Sequence, residues 1–386
     1  MKKTVSILIG LSLLLICSQG CRKSTDNSAV FQTKKLLQEI TGKGILFGHQ
    51  DDLAYGIGWK SISGESDVKR ITNSYPAVFG WDIGNIGDAE NLDGVPFDSI
   101  RAYIIKAYEM GGINTVSWHA RNPITGSDSW ALTGISMKAL LPNGSYHSKL
   151  IEELDKVATF FESLKTGNEE LIPILFRPWH EMNGGWFWWG NTSCSEEEYK
   201  ALFRFTVDYL QKTKKISNLL IVFSPDHNFE SAEQYLARYP SDDYVDILGL
   251  DNYSDFEQQR LDRVVVKLGI VSDIAAQKGK IAAFTETGND RLTIPDWYTS
   301  NLLQVLNASE KTRRMAYVMV WRNHDTTHFY VPYPGHREEE DFRNFVNNKM
   351  IFLIDDLTKQ YNTNFLNEKN KSQEIIRGKL LYEYHI

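Results

Sequence analysis

Cysteine is almost absent from this chain: Cys17, Cys21 and Cys194 are the only three in 386 residues. Cys17 leaves with the N-terminal signal described below and Cys21 is expected to carry lipid, which leaves Cys194 without an internal partner in the mature lipoprotein. An oxidising compartment permits disulfides, but this fold has to be held by its core. The same scarcity leaves no cysteine framework for a metal. Histidine does not supply one either. His180 and Glu181 begin like a zinc-protease helix, yet Gly184 stands where the second histidine is needed. None of the nine His forms another familiar ligand spacing, so metal-free chemistry with no cofactor is expected. No long basic run occurs and the formal net charge is −7, so nucleic acid is not an expected partner. A Gly-rich phosphate fingerprint is missing too, since Gly48 is followed by His, Gln, Asp and Asp.

The run from Val5 to Cys17 is too short to span a bilayer as a permanent helix, which takes about 20 residues. Lys2 and Lys3 precede it, and Ser18, Gln19, Gly20 and Cys21 follow. A basic start, a short apolar stretch and a small-residue cleavage zone make an export signal. Gly20-Cys21 resembles a bacterial lipoprotein cleavage site, in which the cysteine becomes the lipidated first residue. Ser18 departs from that pattern, where Leu, Val or Ile is commoner. An exported, membrane-anchored lipoprotein is the expectation, with ordinary secretion as the alternative. Losing Lys2 and Lys3 with the signal takes the net charge from −7 to −9. The expected division is 1–20 signal, 21–30 polar tether, 31–365 a single catalytic domain, and 366–386 a C-terminal tail.

Hydrophobic content of 42% and charged content of 24% are ordinary for a globular protein, while ten Trp, 18 Tyr and 19 Phe make the chain aromatic-rich. No internal repeat stands out. Short apolar runs instead alternate with amphipathic stretches. The runs are Ile45–Phe47, Ala77–Phe79, Ile113–Trp118, Ile172–Phe176, Leu219–Phe223, Val245–Leu250, Ile281–Phe284 and Met315–Trp321. Between them, Ile100, Tyr103, Ile104, Ala107 and Tyr108 keep helical spacing up to Gly111-Gly112. Leu150, Leu154, Val157, Phe161 and Leu164 mark a second helix. Ser195 with Glu198 forms a capping box ahead of a third, carrying Leu202, Phe203 and Leu210. Eight strands alternating with helices predict a (β/α)8 TIM barrel; a doubly wound open sheet is the runner-up. His119, Arg177, Asp226, Asp251, Glu286 and Arg322 stand at the ends of these runs, and in a barrel such ends converge on one face.

The stretch FRPWHEMNGGWFWWG, Phe176 to Gly190, carries the strongest chemical signal. It sets Glu181 just after the fourth predicted strand, among Trp179, Trp186, Trp188 and Trp189. Rings can stack on sugar faces, and the desolvation they impose raises a carboxyl pKa. Such an acid suits protonating a glycosidic oxygen. Glu286 ends the seventh predicted strand, across the mouth of a closed barrel. Retaining glycosidases use two carboxyls roughly 5–5.5 Å apart, one as nucleophile and one as acid/base. Arg177 is a candidate cation beside Glu286.

The chain resembles glycoside hydrolase family 26, the β-mannanases. The resemblance is carried by GILFGHQDD (Gly44–Asp52), SWHARNP (Ser117–Pro123), FRPWHEMNGGWFWW (Phe176–Trp189), GLDNY (Gly249–Tyr253), FTETG (Phe284–Gly288) and VWRNH (Val320–His324). These motifs fall in barrel order between about Leu36 and about Leu357. The resemblance implies Glu181 as acid/base, Glu286 as nucleophile and Tyr253 as a hydrogen-bond donor to the nucleophile. It implies His119 at a subsite on the non-reducing side of the cut, and Trp186 and Trp321 as aromatic platforms on either side of it. His180 stands next to the acid, to orient it or a sugar hydroxyl. Trp118 and Trp179 are expected in the core; Trp188, Trp189 and Arg322 are left open between core and site. The implied activity is endo-β-1,4-mannanase on mannan, galactomannan or glucomannan, by a monomer. A β-1,3-xylanase or mixed-linkage glucanase of the same family is the alternative. A non-catalytic mannan-binding lipoprotein is the alternative of another class. The runs from Ala120 to Ser148 and from His324 to Glu340 are the loops expected to shape the cleft.

Overall fold

The computed structural model describes residues 28–132 and 136–361; the expected export signal, Cys21 and the tail 366–386 lie outside them. Eight parallel strands follow one another around a closed sheet: β1 Ile45–Gln50, β2 Val78–Asp82, β3 Ile113–Ser117, β4 Ile174–Arg177, β5 Leu219–Phe223, β6 Ile247–Asp251, β7 Ile281–Thr287 and β8 Met315–Val320. Each overlaps its expected run. β8 returns to β1, pairing Leu46 with Tyr317 and His49 with Val320, so the barrel closes and the open-sheet alternative is overturned. Every residue of these strands is buried, as strands covered on both faces require.

Two apolar layers hold the barrel. One lies within it and includes Leu46, Val78, Leu175, Val222, Ala283 and Met319, with Leu37 and Ile40 of α1 (Ala29–Ile40) joined to it. The other sits between strands and outer helices, where α2 (Phe97–Glu109) contributes Ile100 and Ile104 and α3 (His147–Glu162) contributes Leu150, Leu154 and Phe161. α4 (Glu196–Asp208) starts at the capping box: Ser195 Oγ accepts from the Glu198 N–H, and the Glu198 carboxylate accepts from the Ser195 N–H. Its expected continuation through Leu210 runs into a π-helical turn, Tyr209–Thr213. α5 (Leu261–Lys278) and α6 (Glu339–Val346) cover later strands.

The structure departs from expectation in small ways. α1 begins at Ala29, capped by Ser28, so the last two residues assigned to the tether are helix. A hairpin of Tyr55–Gly56 with Trp59–Lys60 crosses the top, and Ile351–Phe352 adds a short parallel strand beside β1.

Candidate active site

Strand register sets the polar ends level with one another. Asp82 of β2 pairs with Ser117 of β3, and Ser117 with Arg177 of β4. Across the barrel, Asp251 of β6 is level with Glu286 of β7. Parallel strands sharing a register bring their C-terminal residues to one rim, the usual place for a barrel active site.

Arg177 is the hub of that rim and is 1% exposed. Its Nη2 donates to Glu286 Oε2, and its Nη1 donates to Asp251 Oδ2 at 2.5 Å and to Ser224 Oγ at 3.2 Å. Thr285 Oγ1 donates to the other Asp251 oxygen at 2.6 Å, and Tyr253 Oη donates to Glu286 Oε1 at 2.8 Å. Glu286 is therefore gripped on both oxygens. Burial works to lower the Arg177 pKa, but Asp251 and Glu286 more than reverse it, so the guanidinium stays charged. Burial, then the charge of Glu286, pushes the Tyr253 hydroxyl well up and keeps it a donor.

Glu181 sits in the loop after β4, with its backbone N–H bonded to Ser224 O at 2.9 Å. Trp179 (φ 53°) and Glu181 (φ 54°) both adopt left-handed backbone, a conformation that costs a side-chain-bearing residue energy. That turn aims the carboxyl at the indole of Trp186, whose Nε1 donates to Glu181 Oε2 at 2.7 Å. Gly184 makes room for this arrangement, since a Cβ there would lie 2.3 Å from the Trp186 ring. Burial, followed by the charges of Glu286, Asp251 and Asp226, pushes the Glu181 pKa well above its ordinary value, against the pull of Trp186. Both carboxyls thus occupy one electrostatic pocket, and one of them favours its protonated form.

Of the four tryptophans around Glu181, three are core. Trp179, Trp188 and Trp189 are buried, with their indole N–H groups on Thr206 Oγ1, Ala120 O and His180 O. Trp118 is buried against Trp179. Only Trp186 is left partly open. His119 and Trp321 are also partly open, with ring centroids 6.1 Å apart. His180 is buried, and its Nε2 lies 3.3 Å from Nε2 of His119. Arg322 pairs with Asp93 at 3.1 Å and donates to Tyr55 Oη at 3.3 Å. Asp226 accepts from His227 and from the Asn228 backbone, which braces the rim.

Two residues of the site were not anticipated. Trp130 is 49% exposed and lies nearly parallel to His119, centroids 5.5 Å apart and planes at 20°. It stands alone in a polar loop, where no periodicity marks it. Asp82 accepts from His119 Nδ1 at 2.7 Å. Asp82 stands three residues beyond Phe79, where the second apolar run ends, and closes that strand as Arg177 closes its own.

The model of glycosyl hydrolase family 26 matches residues 25–330. A mannan endo-1,4-beta-mannosidase of Bifidobacterium adolescentis is 35% identical over 96% of this chain and 40% of its own length. One of Bacillus subtilis is 33% identical over 54% of this chain and 57% of its own length. The chain therefore spans well under two thirds of either relative. Among solved structures, a GH26 beta-mannanase from Bacteroides ovatus is 41% identical with a TM-score of 0.81, covering 85% of this chain and 95% of that one. A modular endo-beta-1,4-mannanase from Cellulomonas fimi is 36% identical with a TM-score of 0.80, covering 85% and 76%.

Proposed function

This chain belongs to glycosyl hydrolase family 26, and from that premise we propose that it is a retaining endo-β-1,4-mannanase. The observation that carries the reading is the contrast between two neighbouring carboxyls. Glu181 is pushed towards its protonated form, while Glu286 is held on both oxygens by Arg177 and Tyr253. Separating the environments of two acids assigns their roles. Glu181 protonates the departing glycosidic oxygen as Glu286 attacks the anomeric carbon. The resulting glycosyl-enzyme is released when Glu181, now a base, takes a proton from water. Configuration at the anomeric carbon is inverted twice and so retained.

Trp186 and Trp321 are the sugar platforms of this reading, and Trp130 adds a third beside His119. His119 binds on the non-reducing side, and His180, buried behind it, orients the acid or a sugar hydroxyl. Mannan, galactomannan and glucomannan are the substrates, supported by the mannan endo-1,4-beta-mannosidases among the relatives. The protein acts as a monomer, exported and tethered to a bacterial membrane through lipid on Cys21. Mass and lipid analysis of the exported chain, against a Cys21→Ala variant, tests the tether.

The function is tested by reducing-sugar release from unbranched β-mannan, galactomannan, β-1,3-xylan and mixed-linkage glucan, with EDTA present. Cleavage of the mannans, lost in Glu181→Ala and Glu286→Ala, is expected. Preference for xylan or glucan moves the specificity and keeps the mechanism. Retained mannan binding with no turnover on any polymer leaves a binding lipoprotein and rejects the enzyme.

A further inference from the structure

Asp82 is fully buried at the end of β2 and collects four donors. Ser117 Oγ and the Gly84 N–H approach it at 2.6 Å, His119 Nδ1 at 2.7 Å and the His119 N–H at 3.3 Å. A carboxylate facing one ring nitrogen fixes the proton there and turns the other nitrogen to a second task. For His119 that second task is His180: their Nε2 atoms lie 3.3 Å apart, with rings at 81°. Two bare lone pairs would repel at this separation, and so would two N–H groups. One proton must lie between them.

We propose that Asp82 is a positioning residue that locks His119 and His180 into one arrangement sharing a single proton, and that it favours the charged form of that pair beside the catalytic carboxyls. The proposal rests on the glycosidase reading only for what the histidines bind. Facing His119 are Asp82, Asp93, Glu286 and His180; facing His180 are Arg177 and His119. Burial works to lower the His119 pKa, and Asp82 leads the groups that reverse this, giving a net rise. Nothing reverses it at His180, where burial, then Arg177 and His119, push the pKa well down. A proton added to the pair is therefore held on His119, which then donates through both nitrogens. His180 stays neutral, accepts at Nε2 and keeps its own proton on Nδ1, a buried atom without a partner among the described residues. When His119 loses its charge, its Nε2 becomes an acceptor and His180 must change tautomer. The charge beside the catalytic carboxyls and the donor between the two rings then change together.

The test is a 15N–1H imidazole titration of the whole protein and of Asp82→Asn, whose amide oxygen can still accept from His119 Nδ1. In the native protein His119 should carry protons on both nitrogens above its ordinary pKa. In Asp82→Asn the titration midpoint should fall by roughly 1–3 pH units, the effect of removing an adjacent opposite charge. The alkaline limb of kcat/KM on mannan should move down with it. An unmoved midpoint, or an unprotonated Nδ1 in the native protein, overturns the proposal. The native tautomer is read even if the variant does not fold. It is also read without substrate, so a chain that cuts no polysaccharide still tests the pair.

Discussion

The indole nitrogen of Trp186 lies 2.7 Å from Oε2 of Glu181, so the ring proposed as a sugar platform also grips the proposed acid. These two roles separate by substitution. Trp186→Phe keeps a ring and loses the N–H; Trp186→Ala loses both. A hydrogen bond to a charged group is worth about 1.5–3 kcal/mol, and this one favours the carboxylate. Removing it should push the acid's pKa up further and shift the alkaline limb of kcat towards higher pH in Trp186→Phe. Its kcat should fall roughly 10-fold through loss of aim, with little change in KM, whereas Trp186→Ala should also raise KM. A limb that moves to lower pH in Trp186→Phe would show that the bond does not tune the acid.

Arg177 joins Asp251 to Glu286 from a site without water-exposed surface. Removing one partner of a buried pair strands charge, at about 3–5 kcal/mol. Arg177→Met should therefore unfold at markedly lower temperature. Arg177→Lys keeps the charge but cannot reach both carboxylates with a fixed fork. Its melting temperature should fall less, while kcat should drop by a factor on the order of 100. Melting curves and steady-state kinetics on the two variants check this. Equal losses of stability and activity in both would argue that the arginine is a brace only.

Much of this architecture was legible because a buried parallel strand reads as a short apolar run. All eight runs became strands, and the capping box at Ser195 marked its helix start. Polar residues closing those runs, such as Arg177 and Glu286, pointed to the rim. The failures have physical causes. Asp82 belongs to its strand, yet Gly80 interrupts the apolar run before it. Trp130 is placed by a loop conformation that no periodicity encodes. The tryptophans after Glu181 share one composition, and only packing separates Trp186, left open, from Trp188 and Trp189 in the core. The hairpin at Tyr55–Gly56 is too short to leave a pattern.

Under the proposed assignment, the two carboxyls should fail differently when truncated. Glu286→Ala has no nucleophile and should be inactive on every mannoside. Glu181→Ala lacks only the proton donor, so a substrate whose leaving group needs no protonation should still form the glycosyl-enzyme. Rapid mixing with an aryl mannooligoside of low leaving-group pKa should give a burst, followed by slow turnover, in Glu181→Ala alone. A burst in Glu286→Ala instead would exchange the two assignments.

Stability and catalysis should oppose each other at Glu181. An acid whose pKa rises on folding binds more protons in the native than in the unfolded state over the interval between the two values. Unfolding free energy then falls as pH rises through that interval, and the deficit persists above it. Burial, the first cause of the rise, is thus a standing cost at neutral pH, added to that of the left-handed backbone. Glu181→Gln removes the charge, and its amide oxygen can still accept the Trp186 N–H. The variant should be inactive on mannan yet melt measurably higher than the native protein at pH 7.5, given roughly 1–2 °C per kcal/mol in a chain of this size. Below the ordinary glutamate pKa both states are protonated, so the gap should close near pH 4. Thermal unfolding of the two proteins across that range decides it: a variant less stable at every pH would mean that the carboxylate gains more from its partners than it loses by burial.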